Sequence, residues 1–368
     1  MKVTRLYQKI ISLHTRVPQM IFPNGYAFPP MRVGCVLTHR CQLRCAMCFV
    51  WQHGKDKELL ANELTTDEWK SVFDQIPSQA IVTMTGGEPL LRADIRDLLK
   101  HASQNHRVHL VTNGTLFTDD HVQLSVDLAP KSLFDKGLLS IGVSLQGPED
   151  VHDAMVNVPG SFAKSTSALR KLVKAKKERK LKYPLLDLKI VICRETLHSL
   201  VDLYDLADQM ELDIMSCQQC NTQESSYGID DAPKNAMFQS PPDVDPIPRE
   251  ELIPTLEKLV ARAEKGKTIL RFNPDMTFEH FGDRYENRFP LDQFTCAAVW
   301  SVLHIGPYGT VFPCFSIPMG NVRETPLKKI WNNDAYKSFR KELRKAGIFP
   351  GCTGCCVMMP RPGAAKKR

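Results

Sequence analysis

The 368-residue chain has no run of about 18 apolar residues, so no membrane-spanning helix is expected. Its first twenty residues lack the apolar stretch and small-residue cleavage site of a secretory signal, and His14, Arg16 and Pro18 interrupt them. A cytoplasmic protein is therefore expected. Internal repeats and long low-complexity segments are missing, as are nucleic-acid-binding motifs and any interleaving of aromatic with basic residues. The net charge of +7 is modest. Part of it lies in Lys174–Lys182 and Lys366–Arg368, which read as solvated helix surface and a frayed tail.

What the chain does have is twelve cysteines. In a reducing compartment clustered cysteines read as metal or cluster ligands rather than as disulfides. Hydrophobic residues make up 43%, enough for a real core. Strands are expected at Val33–Leu37, Ile81–Thr85, Val108–Thr112, Leu139–Ser144, Leu186–Ile192 and Ile214–Cys217. Amphipathic helices are expected between them, for example Thr66–Ile76, opened by capping residues Thr66 and Asp67, and Asp94–Ser103. This alternation predicts an α/β fold with a parallel sheet, an open or partial barrel whose chemistry collects at the C-terminal strand ends.

The pattern changes near Ser240, where SPPDVDPIP reads as a stiff linker before a helix at Arg249–Lys265. From Cys296 onward come short strands, a turn at Pro307–Gly309 and a helix near Asp334–Ala346. This small region holds five cysteines, so a metal centre could supply what its core lacks. The expected division is an N-terminal extension (1–30), a barrel core (31–240), linker and helix (241–290), a cysteine-rich domain (291–360) and a basic tail (361–368).

Cys41-Gln-Leu-Arg-Cys45-Ala-Met-Cys48 follows the first strand directly. Three thiolates at this spacing can wrap one cubic cluster and leave one iron free for a non-protein ligand. A zinc site completed by His39 or His53 is the alternative on these residues alone.

With Phe49 after it, this CxxxCxxC segment resembles the signature of radical S-adenosylmethionine (SAM) enzymes. Gly86-Gly87-Glu88-Pro89 after the second strand is similar to that family's GGEP turn, which contacts the methionine amine of the cofactor. Thr112-Asn113-Gly114-Thr115 resembles its ribose-side segment, and Ser144-Leu145-Gln146-Gly147 its SLDG segment. The resemblance covers Met31 to about Cys220 and implies a partial (β/α)6 barrel. It implies a 4Fe-4S cluster on Cys41, Cys45 and Cys48, and SAM contacts from Phe49, Gly86, Gly87, Glu88, Pro89, Thr112, Asn113, Ser144 and Ile192. Two departures concern the cofactor. Gln146 replaces the aspartate of SLDG, and Val156 stands near where many relatives carry a carboxylate-binding arginine. Lys189 or Arg194 would have to substitute.

Cys296, Cys314 after Gly309-Thr310-Val311-Phe312-Pro313, the Gly320-Asn321 step, Trp331 and Cys352-Thr-Gly-Cys355 resemble a SPASM or twitch extension. The resemblance implies one auxiliary 4Fe-4S cluster on Cys296, Cys314, Cys352 and Cys355, with Cys356 as a spare thiol. Structural zinc is the competing reading of the same four residues.

Cys217, in a CxxC with Cys220 at the sixth strand end, is a candidate hydrogen-atom-transferring thiol, a buried free cysteine being the alternative. Gln218, Gln219, Asn221 and Glu224 follow as candidate substrate-facing groups; Cys35, Cys193, Trp300 and Trp331 read as core. His152 and Asp153 read as helix caps or substrate contacts. The thirty residues before Met31 are too few for a leader-recognition domain of about 80 residues, and no cobalamin-binding domain is evident.

The expected activity is reductive cleavage of SAM to a 5′-deoxyadenosyl radical, with a flavodoxin- or ferredoxin-type electron donor, followed by hydrogen abstraction. Two substrate readings are carried forward. One is oxidation or cross-linking of a peptide or protein side chain. The other is a dehydrogenase, epimerase or rearrangement enzyme of a small metabolite such as a sugar, aminocyclitol or tetrapyrrole. A non-enzymatic zinc scaffold is a third.

Overall fold

In a computed structural model, residues 2–48, 50–221, 244–314 and 317–361 are described. Six aliphatic runs pair side by side in chain order: β1 (Arg32–Val36), β2 (Ile81–Thr85), β3 (Arg107–Thr112), β4 (Gly137–Ser144), β5 (Leu185–Ile192) and β6 (Ile214–Gln219). Each neighbouring pair is parallel. Parallel neighbours need long crossovers, here made by helices such as Thr66–Gln75, Ile95–Asn105 and Ser161–Glu178. The first of these is capped one residue earlier than its sequence suggested. Thr65 is the N-cap, and Thr65 and Glu68 form a capping box.

The sheet extends beyond the six expected strands at both edges. β7 (Ile269–Asn273), from the segment read as linker and helix, adds in parallel to β6. After the short β8 (Phe294–Thr295), β9 (Val302–Ile305) pairs in parallel with β1. β10 (Thr310–Phe312) and β11 (Gly320–Asn321) then continue antiparallel, giving ten strands in one sheet among the described residues. The cysteine-rich region thus shares the barrel's sheet. β12 (Met359–Pro360) pairs with β8, clasping the chain after Cys356 beside Cys296.

Strand alternation sorts the sheet into two faces. Val33, Cys35, Met84, Leu110, Val143, Leu188, Ile190 and Met215 lie in the aliphatic core. Cys217 belongs to this set, in register with Ile190 and Phe272, and is fully buried. The reading as a hydrogen-atom-transferring thiol is thereby corrected in favour of the buried free cysteine: its neighbours Ser216 and Gln218 take the other face. Burial pushes its thiol far up, as suits an inert core cysteine. Cys35, Cys193, Trp300 and Trp331 are buried as expected.

The N-terminal extension is helical from Lys2 to Ile21, and the chain after it packs on the C-terminal region. Trp331 Nε1 donates to Phe28 O at 2.7 Å, and Ala27 exchanges hydrogen bonds with Asn332. Arg340 is wholly buried where these segments meet. It donates to Val299 O, Asn332 Oδ1 and Trp331 O, each at 2.9 Å, and to Gly25 O at 3.2 Å. Its guanidinium lies over the rings of Trp331 and Tyr336. Among the described residues no helix is long and apolar enough to cross a membrane.

Replacing Arg340 with Met removes four hydrogen bonds and takes this donor from three backbone carbonyls, those of Val299, Trp331 and Gly25, and should cost about 3 kcal/mol. Thermal unfolding of the anaerobic holoenzyme should begin clearly earlier in R340M; an unchanged midpoint would show that the N-terminal segment is held by other contacts.

Candidate cofactor site and auxiliary cysteine centre

The cysteine loop leaves β1 through Thr38, His39 and Arg40, all held by one carboxylate. Glu63 Oε1 accepts from Thr38 Oγ1 at 2.6 Å and from His39 N at 3.0 Å, while Oε2 stands 3.4 Å from the Arg40 guanidinium. His39, once a candidate zinc ligand, is buried with Nδ1 3.1 Å from Tyr308 Oη. Beyond Cys41, Arg44 N donates to Val156 O (2.9 Å) and Ala46 N to Met155 O (3.0 Å). Val156, near the point where the resemblance leads one to expect an arginine, here braces the cysteine loop through its backbone.

The glycine pair after β2 lies against the same loop. Gly87 N donates to Thr38 O and Glu88 N to Arg40 O, both at 2.7 Å. A Cβ on Gly86, which has φ +151°, would meet Thr38 O at 2.4 Å, and one on Gly87 would meet Arg40 O at 2.2 Å. Both positions therefore require glycine for backbone-to-backbone contact.

Glu88 is fully buried and bridges the second and third strand ends. Its Oε1 accepts from Leu90 N (2.9 Å) and Thr112 Oγ1 (2.7 Å), and Oε2 from Asn113 N (2.7 Å). Burial pushes its carboxyl up to about 7, against these three donors, which favour the ionised form. Pro89 opens a short 3₁₀ turn directly after it. Asn113 accepts from Gln42 Nε2 at 3.1 Å and its own Nδ2 points to Cys41 Sγ at 3.9 Å, linking the third loop to the cysteine loop. Ser165 Oγ holds Asn113 O at 2.7 Å.

The fourth loop is set differently. Gln146 Oε1 accepts from Val191 N at 3.1 Å, and Gln146 N donates to His152 Nδ1 at 3.0 Å. Asp153 caps the following segment, accepting from Phe162 N at 2.8 Å. Ser144 is half-buried at the β4 end, in register with Lys189. Of the two candidate substitutes for the missing arginine, Lys189 is ion-paired to Asp187 at 2.7 Å and Arg194 bonds the exposed Pro246 carbonyl. The Ile192 side chain is fully buried in the core and its carbonyl is taken by Tyr285 Oη, so its side chain offers nothing to a cofactor. Phe49 and Glu224 lie outside the described residues.

Cys41, Cys45 and Cys48 are half-buried together at these loop ends. Burial raises the Cys41 thiol to about 11 and Cys45 to about 12, and raises Cys48; for Cys45 the other two thiols add to the shift. Such thiols ionise when a metal centre replaces their protons. Cys296, Cys352 and Cys355 also act on one another, and burial raises Cys352 to about 12. Cys314 is half-buried and close enough to Tyr336 to act on it electrostatically. Among the described residues no three His, Cys, Asp or Glu side chains are placed to hold a single metal ion. All-thiol sets of this kind suit an iron–sulfur cluster.

The auxiliary loop docks on the end of β6. Gln219 Nε2 donates to Thr353 O (3.0 Å) and Cys355 O (2.9 Å), and a Cβ on Gly354 would meet Asn221 Oδ1 at 2.8 Å. Glu63, Gln42, Ser165 and Gln219 were not singled out for these roles from sequence. Gln42 sits inside the cysteine motif and was open to notice; Glu63 and Ser165 carry no local signal.

A parallel α/β sheet with thiol sets at its strand ends defines an iron–sulfur enzyme of the partial-barrel class. Residues 35–207 match the Radical SAM superfamily and residues 296–356 the SPASM iron–sulfur cluster-binding domain. The chain belongs to the radical SAM superfamily, carries a SPASM domain, and uses SAM and iron–sulfur clusters as cofactors. An AdoMet-dependent heme synthase of Methanosarcina barkeri is 24% identical over 347 residues, 89% of this chain and 91% of that protein. A PqqA peptide cyclase of Bradyrhizobium diazoefficiens is 27% identical over 328 residues, 84% of this chain and 75% of that protein. Among solved structures, Streptococcus suis SuiB bound to precursor peptide SuiA aligns with a TM-score of 0.61 at 16% identity, covering 90% of this chain and 71% of that one.

Glu88→Gln leaves an amide N–H facing one of three backbone or hydroxyl donors, a loss of about one hydrogen bond. SAM should bind the reconstituted E88Q enzyme about tenfold more weakly in equilibrium titration; wild-type affinity would mean that Glu88 does not position the Thr112–Asn113 loop.

Proposed function

We propose that this enzyme oxidatively modifies or cross-links a side chain of a peptide or protein. Cys41, Cys45 and Cys48 hold the SAM-binding cluster; Cys296, Cys314, Cys352 and Cys355 hold an auxiliary cluster. The observation that carries the reading is the docking of the Cys352–Cys355 loop on β6 through Gln219. It sets the second cysteine centre at the strand ends, where the substrate of a partial barrel lies, so an electron left on substrate has a nearby acceptor. The similarity to a PqqA peptide cyclase supports the peptide class.

Once bound, the reduced cluster and SAM supply a 5′-deoxyadenosyl radical able to abstract hydrogen from substrate. The chain's own part is positional. Gly86 and Gly87 bring the second strand end against the cysteine loop, Glu88 fixes Thr112 and Asn113, and Gln42 ties Asn113 to the triplet. A flavodoxin- or ferredoxin-type protein is the proposed electron source. The small-molecule reading keeps one specific support, the heme synthase relative aligned over 91% of its length.

Alanine at Cys41, Cys45 or Cys48 should abolish SAM cleavage, and retention of cleavage in all three variants would overturn this site. Alanine at Cys352 or Cys355 should remove about one cluster of iron while sparing the other; unchanged iron would reject the auxiliary assignment. With deuterated peptide and metabolite pools supplied separately, label should reach 5′-deoxyadenosine from peptide. Label from metabolites alone would replace the peptide reading with the small-molecule one.

A further inference from the structure

The face of the sheet opposite the helices carries a cluster of charged and polar side chains around Asp187. In register across β4–β7, Ser144, Lys189, Ser216 and Arg271 share one row on this face, with Gly142 and Asp187 in the row below. Asp187 is the one acidic residue in β1–β7, against Arg32, Arg107, Lys189 and Arg271 on its face. Asp187 Oδ2 accepts from Lys189 Nζ at 2.7 Å and from Ser216 Oγ at 3.0 Å. Its Oδ1 is buried and has no hydrogen-bond partner among the described residues.

Space for the lysine is made by the backbone. A Cβ on Gly142 would meet Lys189 Cε at 2.2 Å and His109 Nε2 at 3.3 Å, so both side chains lie across that glycine. Burial first, then Lys189, Arg32 and Arg271, push His109 down to about 3, which keeps its ring neutral. From the auxiliary loop, Cys356 lies close to Gln218 and within the field of Lys189. The cluster therefore spans the barrel floor and the edge of the auxiliary loop.

We propose that Lys189, held in place by Asp187 and Ser216, is the anchor of a carboxylate-binding subsite for the substrate. Asp187 occupies only part of the ammonium's donor capacity, and the face keeps a surplus of positive charge after that pair is formed. The neutral His109 ring adds a hydrogen bond without adding charge. Asp187 Oδ1 accepts an N–H or O–H from the same ligand. The substrate is thus a carboxylate with a neighbouring donor, as in an acidic residue of a peptide or a free hydroxy acid. This subsite deepens the proposed function and rests on it.

The test uses the anaerobically reconstituted full chain with SAM bound, titrated by calorimetry. The probes are N-acetyl-glutamate amide, its glutamine isostere, and citrate. The glutamate probe, citrate or both should bind, and the glutamine probe should not. Binding of the glutamate probe alone assigns the carboxylate to a peptide, and binding of citrate alone to a small acid. Lys189→Met should weaken carboxylate binding at least about tenfold, with Lys189→Arg restoring part of it. Arg271→Gln, at an exposed edge position where misfolding is not a concern, should weaken it severalfold. Equal binding of glutamate and glutamine probes, or affinities indifferent to both K189M and R271Q, would overturn the subsite. So would a K189M loss confined to SAM affinity, which would instead put Lys189 on the cofactor's carboxylate. If the wild-type enzyme fails to cleave SAM, the functional reading fails whatever the probes do.

Discussion

The buried carboxylate of Glu88 is the contact on which the cofactor end of the barrel depends. One side chain ends the second strand's turn, fixes the hydroxyl of Thr112 and holds the backbone of Asn113. The glycines before it let that turn lie on the backbone of Thr38–Arg40, immediately ahead of the first cysteine. Three loops distant in sequence thereby become one rigid surface. Desolvation of a carboxylate is costly, and three well-aligned donors offset that cost only while the loops stay together.

The auxiliary region is bound to this surface by the sheet itself. β9 continues the barrel from β1, while Gln219 at the far end of the barrel holds the Cys352–Cys355 loop. The cysteine-rich segment is therefore anchored at both edges of the six-stranded core. Arg340 adds a third tie, joining the N-terminal segment to the late helix.

Much of this was legible in the sequence because it is local. The six core strands appear within one or two residues of their expected ends, since each is an aliphatic run bounded by turn residues. The four cofactor-loop motifs sit at strand ends as their spacing implied. What escaped was set by long-range pairing. β7 is a short run that becomes a strand only by adding to an edge already formed, and the short strands expected after Cys296 carried no sign that β9 would join the barrel's own sheet. For Cys217 the sequence left a reactive thiol and a buried cysteine both open; alternation along the longer β6 decides for the buried one, turning it to the helices and Gln218 the other way. Glu63 and Gln219 act on backbone atoms dozens to more than a hundred residues away, which no local pattern encodes.

The central claim is that two thiol sets hold two iron–sulfur clusters and that one of them binds SAM. The most direct measurement is the iron and sulfide content of the anaerobically reconstituted chain, with its electron paramagnetic resonance spectrum taken with and without SAM. The account predicts about eight irons and eight sulfides per chain, and a reduced-state signal of which one component changes when SAM is added. Colourless protein holding zinc without sulfide, or two clusters whose signals ignore SAM, would contradict it.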